Sequence, residues 1–248
     1  LWFDHPNLLG HSLALVGLVL LVGSRGRGPT SLSIALTVSA LAFTGSRTAL
    51  LGFALGGALL ALQGARSRRG ALALFTLLAA SGLFALSLRA FDRTFTGAGA
   101  ELIARSEVWR LAYEAFAARP WTGLEESFET FWRSAYGGES LELIPHAHNL
   151  WLQFAAMYGL PGLAAVLWLT GGLVWLAWRW GRWRGLALAA PVFLMNVFDY
   201  TLFYSGVLFP LVLGLNGLRR AAARGRGAHE GFGEDGKAGA LPARSGGE

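Results

Sequence analysis

The chain has 248 residues, 54% of them hydrophobic and 15% charged, whereas charged residues make up about a quarter of an average soluble domain. That balance argues against an ordinary water-soluble protein and makes burial in lipid the first explanation. The absence of cysteine removes disulfide frameworks and thiolate metal sites. The net charge of +6 comes from arginines in short loops and near the C-terminal end, a positive-inside pattern rather than a nucleic-acid surface.

The opening Leu-Trp-Phe-Asp-His-Pro-Asn lacks the basic, apolar, small-residue order of a signal peptide, so Leu1 is read as an interior position of a longer protein. Charges are then almost absent over 8–22, 31–44, 48–63 and 71–88, which predicts four membrane spans. Basic residues punctuate them at Arg25 and Arg27 and at Arg66, Arg68 and Arg69, predicting cytoplasmic loops. The Gly45-Ser46-Arg47 turn then falls on the opposite face. The polar stretch 91–149, with more acids than arginines, is expected outside as well. Within it, Val108, Leu111, Ala112, Ala115 and Phe116 have helical spacing between Arg105 and Arg119, and Pro120 stops the helix. An amphipathic helix on the outer membrane face is predicted, with Arg105 at its start.

A further apolar run, 150–178, leads to the basic group Arg179, Arg182 and Arg184. The next, 186–218, is long for one crossing and short for two, since a span takes about 20 residues. Asp199 in its middle favours two short spans with the carboxylate at an outer turn, in contact with water. The end of the chain, rich in Gly, Ala, Arg and Glu, holds too little apolar surface to fold and is expected to be a disordered cytoplasmic tail. The expected fold is an all-α polytopic transmembrane bundle of six or seven spans. Residues 1–90 form the first four helices, 91–149 a periplasmic loop bearing active-site residues, 150–218 the last two or three helices, and 219–248 the tail.

Few residues could carry chemistry. Glu107, Arg110 and Glu114 are spaced to pair with one another on a helix face, which leaves Arg105 without a partner in sequence. At a helix start, against a positive dipole, an arginine asks for an anion. Arg47, between two apolar runs with no acid nearby, is either a snorkelling anchor or an anion ligand. His146 and His148, in Pro-His-Ala-His-Asn, precede an apolar helix that Asn149 is suited to cap and that Gly159-Leu160-Pro161-Gly162 interrupts. Imidazoles there either order the loop or accept a proton from a hydroxyl. A metal is not expected, because no third ligand stands at a familiar spacing.

At these residues the chain resembles the O-antigen ligase and O-antigen polymerase superfamily of bacterial membrane glycosyltransferases. In order, the resemblance rests on His5-Pro6-Asn7-Leu8, on Ser46-Arg47-Thr48-Ala49, and on Arg105 with Trp109 and Pro120. It ends with His146-Ala147-His148-Asn149-Leu150 followed by Tyr158-Gly159-Leu160-Pro161-Gly162. One departure follows Pro120, where the family's Gly-x-Gly is replaced by Gly123-Leu124-Glu125. Family members are larger, so the chain corresponds to their C-terminal part.

The resemblance implies a metal-independent enzyme of the bacterial inner membrane, with no cofactor. It would move a glycan from an undecaprenyl pyrophosphate carrier to an acceptor hydroxyl on lipid, growing glycan or protein. In that reading Arg47 and Arg105 bind the pyrophosphate, His148 is the base, and His146 orients or substitutes for it. The rival reading is a permease or exporter of a polysaccharide precursor, which should carry polar groups deep in several spans. An inactive fragment of the transferase is the third.

Overall fold

The computed structural model describes residues 6–23, 27–64, 99–136, 146–203 and 205–235, and the regular structure among them is entirely helical. The expectations placed on His5, on Arg25, on the 66–69 loop, on the 71–88 span and on 236–248 lie outside these residues. Three apolar helices open the fold: α1 (Pro6–Gly23), α2 (Arg27–Thr44) and α3 (Arg47–Gly64). They are followed by α4 (Gly99–Ala118), α5 (Phe128–Tyr136), α6 (Leu150–Gly181), α7 (Trp183–Val197) and α8 (Ser205–Asp235). Among the described helices α6 alone is long and apolar enough to cross a membrane by length and composition, while α1, α2, α3 and α7 are shorter apolar helices.

The bundle core gathers Leu15 and Leu18 from α1, Leu150 from α6, Leu188 and Met195 from α7, and Leu211 from α8. Helices α3 and α7 lie close because glycines face the contact: Gly52 meets Met195, and Gly56 meets the Ala187 carbonyl. The outside is equally apolar. Phe43, Trp168, Phe209 and Leu213 are exposed, a surface suited to hydrocarbon and costly in water.

Helices α4 and α5 form a cap over the first half of α6. The predicted stripe on α4 is real, but Val108, Leu111, Ala112 and Ala115 pack on Phe128 and Trp132 of α5 and on Ala147 and Ala156, not on a lipid face. The helix also begins six residues before Arg105, because Ala100, Glu101, Leu102 and Ala104 are all good helix formers. Arg105 therefore sits in the helix interior, and the argument from an arginine at a positive helix end does not hold for it. The predicted pairing of Arg110 with Glu107 and Glu114 is present.

The cap is spliced into α6 through its backbone. Gly159, with φ 63° and ψ −153°, breaks the helix. The two groups that would have bonded each other there find partners in the cap: Leu124 N–H donates to the Ala156 carbonyl at 2.9 Å, and Leu160 N–H donates to the Pro120 carbonyl at 2.6 Å. Side chains would block this approach. A Cβ on Gly159 would stand 2.5 Å from the Pro120 oxygen, and one on Gly123, whose φ is +72°, would stand 2.4 Å from the Met157 carbonyl. Gly123 thus lets the loop turn and reach α6 without the family's second glycine.

Gly159→Ala is accordingly expected to destabilise the fold. Its backbone region alone costs a non-glycine residue about 1–3 kcal/mol, which corresponds to a fall in Tm of roughly 2–12 °C for a chain of this size. Gly171→Ala, with open space around it, should leave the melting point in detergent unchanged. Equal melting of the two variants would remove the splice.

Two other expectations change. The segment from 219 onward was expected to be disordered, yet α8 continues through it to Asp235. A helix already formed extends without a new nucleation cost, and Ala221, Ala222, Ala223 and Arg224 favour its continuation. Asp199 does lie between two helices, as expected, but it is buried rather than in contact with water.

Candidate active site

The break between α7 and α8 is built by one amide. Asn196, 1% exposed, donates from Nδ2 to the Val192 carbonyl at 2.8 Å and accepts at Oδ1 from the Thr201 and Leu202 amides at 3.1 and 3.0 Å. These bonds turn the chain at Phe198–Thr201 and carry Asp199 inward. Its Oδ1 accepts from the Tyr200 amide at 2.8 Å, while its buried Oδ2 has no hydrogen-bond partner among the described residues.

Facing it is the entry to α6. Asn149 caps that helix, accepting from the Leu152 amide at 3.0 Å, and its Nδ2 donates to the Val197 carbonyl at 2.9 Å. One side chain thereby ties the start of α6 to the end of α7. Gln153 accepts from the Ala147 amide at 2.7 Å and fixes the turn before it. Between these anchors His148 is held at φ 48°, a conformation uncommon for non-glycine residues that concentrates at functional sites.

The result is a compact group of three. His148 Nδ1 lies 3.7 Å from Asp199 Oδ1, and the rings of His146 and His148 meet edge to face with centroids 4.3 Å apart. His146 also packs on Tyr200. Burial pushes the Asp199 carboxyl up, but the His148 imidazole, the Tyr200 amide and the His11 ring outweigh it and hold the group well below the usual carboxylate range. Asp199 is therefore an anion at neutral pH. At 3.7 Å the pair is longer than a hydrogen bond, as is common for catalytic contacts without substrate.

A second polar thread starts at the same break. His11, fully buried in α1, contacts Thr201 Oγ1 through Nδ1 and Thr48 Oγ1 through Nε2, both at 2.8 Å. Thr48 stands in the first turn of α3, beside Arg47, and Ser46 Oγ accepts from the Ala49 amide at 3.4 Å to cap that helix. Arg47 thus sits at the end of the bundle that holds His148, and it is half-buried.

Arg105 comes from the cap. Four residues on, Trp109 packs against Phe198 with ring centroids 6.2 Å apart, which sets this part of α4 beside the break. Arg110, Arg119 and Arg133 are each ion-paired, whereas Arg105 forms no ion pair among the described residues. Trp109 Nε1 is buried and has no hydrogen-bond partner among them either.

All four predicted residues therefore occur at one end of the bundle, with the two histidines in contact. His11, Gln153, Asn196 and Thr201 are not site candidates from the sequence, and Asp199 has only a place in the topology there. The signal was present: an ionisable or amide side chain in an apolar run is a functional candidate by default, and Asn196 and Asp199 stand out in theirs. The third metal ligand missing from the local spacing is also present in space, since ligand atoms of His146, His148 and Asp199 all lie within 4.8 Å of one another. A buried carboxylate beside an imidazole can orient a general base, and the same three groups can hold a cation.

A family model described as O-antigen ligase matches residues 32–167, more than half of the chain, reaching from α2 past both histidines into α6. His11, Asn196 and Asp199 lie outside the matched residues. No curated protein matches the chain.

Proposed function

The chain belongs to the O-antigen ligase family, and from that premise we propose that it transfers a glycan from undecaprenyl pyrophosphate to an acceptor hydroxyl, as a ligase or a polymerase. The family is one of membrane proteins in polysaccharide synthesis. The observation that carries the reading is His148, set at a strained helix entry next to the buried carboxylate of Asp199. With Asp199 on its Nδ1 side, the imidazole keeps its proton there and presents a lone pair at Nε2. Nε2 takes the acceptor's proton as the acceptor oxygen bonds to the anomeric carbon. The bond from that carbon to the phosphate oxygen breaks, and undecaprenyl pyrophosphate departs with the electron pair.

Charge grows on the pyrophosphate as it leaves, and guanidinium groups stabilise it there by paired hydrogen bonds. Arg105 and Arg47 fill that role, with Trp109 Nε1 as a further donor. No residue in this scheme requires a metal. The acceptor, whether lipid, glycan or protein, approaches from the periplasmic face of the inner membrane, and the bundle crosses that membrane several times.

The direct test is reconstitution of the purified full-length protein with a lipid-pyrophosphate-linked glycan and acceptor. Glycan product and free undecaprenyl pyrophosphate should appear in equal amounts. Failure to release the lipid pyrophosphate in an assay with folded protein would sink the reading.

Two further outcomes belong to it. Arg105→Lys keeps the charge but loses the paired geometry, so transfer should fall about tenfold or more, and Arg105→Glu should abolish it. Activity at the parental level in the glutamate variant would remove Arg105 from the pyrophosphate site. For topology, single cysteines can be introduced into the chain, which has none of its own. A cysteine at the exposed Trp121 should react with an impermeant reagent from outside, and one at Arg182 should be protected. The reverse pattern would invert the proposed orientation.

A further inference from the structure

In the proposed transfer Asp199 partners one imidazole, but the geometry around it offers more. Three residues of the kinds that bind borderline divalent cations converge here from separate segments, two from the entry to α6 and one from the α7–α8 break. Their ligand atoms lie within 4.8 Å of one another. In a tetrahedral zinc site, bonds of about 2.0–2.2 Å place ligand atoms roughly 3.3–3.5 Å apart, so modest side-chain rotation closes the set.

A second observation points the same way. Asp199 is 3% exposed, and its Oδ2, like His148 Nδ1, is buried without a hydrogen-bond partner among the described residues. A buried carboxylate oxygen left in this way is costly unless something occupies it. The charge also fits, because one carboxylate held as an anion and two imidazoles make a set that zinc, cobalt or copper favours over magnesium or calcium.

We propose that His146, His148 and Asp199 form a regulatory site for a zinc-like divalent cation, and that occupation of this site switches transfer off. The switch rests on the reading of His148 as the base. In the active dyad Nδ1 carries the proton and Nε2 is free. A cation can bind Nδ1 only through that nitrogen's own lone pair, so the single proton of the neutral ring moves from Nδ1 to Nε2. No proton is gained or lost, but the atom that must accept the acceptor's proton already holds one. Zinc is therefore an inhibitor that acts by fixing the wrong tautomer, and three protein ligands leave it a fourth position open to water.

The test begins without substrate. Purified full-length protein is titrated with zinc by calorimetry and with cobalt(II) by visible absorption, alongside Asp199→Asn, His146→Ala and His148→Ala, each matched for folded protein by size exclusion. One cation should bind per chain, with a tetrahedral cobalt spectrum. Each variant should weaken binding on the order of a hundredfold, since changes even to groups outside the ligands cost about 10–100-fold. In the transfer assay zinc should then inhibit at the concentration at which it binds, and a chelator should restore the rate. Binding that all three variants leave unchanged would overturn the site as adventitious. Saturating zinc that leaves transfer unaffected or raises it would overturn the switch. The two failures separate cleanly: transfer by His148→Ala at the parental rate removes the base reading, and the switch with it, while the substrate-free titration judges the site alone.

Discussion

Asp199→Asn is expected to reduce glycan transfer by about 10²–10⁴-fold while leaving the protein folded and its KM for the lipid-linked glycan little changed. Asparagine fills the same volume, and its Oδ1 can still accept from the Tyr200 amide as Asp199 does at 2.8 Å, so the turn survives. What changes is the charge facing His148. The same oxygen lies 3.7 Å from Nδ1, and as part of a neutral amide it no longer favours the proton at Nδ1 or stabilises the imidazolium that forms when Nε2 accepts the acceptor's proton. Asp199 is thus a positioning residue, and its loss should appear in kcat. A variant within a few-fold of the parent would mean that the carboxylate only shapes the turn. A variant that fails to fold would be read against Thr201→Val, which removes the hydroxyl contacting His11 but leaves the carboxylate in place. Comparable loss of transfer in folded Thr201→Val would argue for general integrity of the break over a role of Asp199 at Nδ1.

The sequence resolved the elements more readily than their partners. Apolar runs bounded by arginines located α1 and α3 to within two residues at each end and α2 and α6 to within four, because hydrophobic length and capping are local properties. Asn149 was legible as the cap of α6, and Gly159 as its break, for the same reason. What fills that break was not legible, since Pro120 and Leu124 are some forty residues earlier and only glycine-sized gaps let them in. The start of α4 was misplaced because the stripe from Val108 onward defines a face, not an end. Arg105 consequently keeps its candidacy through the Trp109–Phe198 contact rather than through a helix dipole.

The site shows the same division. His146 and His148 are neighbours in sequence, and their joint role could be read there. Asp199 and His11 reach the site through tertiary contacts, and spacing cannot show that a carboxylate 51 positions beyond His148 will lie 3.7 Å from it. Composition still marked both, as charge-capable residues in apolar runs. Reading Asp199 as an outer turn placed it at the correct end of the helices. Expecting it to meet water overlooked Asn196, whose three hydrogen bonds fold the break inward.

His148→Ala should leave transfer at least a hundredfold and up to about ten-thousandfold below the parent, the usual contribution of a general base. The substitution removes the group that accepts the proton. Alanine occupies φ 48° no more easily than histidine, and the position is half-buried outside the bundle core, so thermal stability should change little and membrane insertion not at all. That pairing of lost turnover with retained stability separates the two roles the residue could have. An imidazole that merely orders the loop would show the opposite, with lower expression and melting point and near-normal turnover per folded molecule. His146→Ala calibrates the result. Its ring Nδ1 accepts from the His148 amide at 3.3 Å, so its loss loosens the base without removing it and should cost less than the loss of His148 itself. If His148→Ala turns over like the parent while His146→Ala is dead, the proton goes to the other imidazole; if both variants are active, no histidine at this site is the base and the proposed mechanism fails.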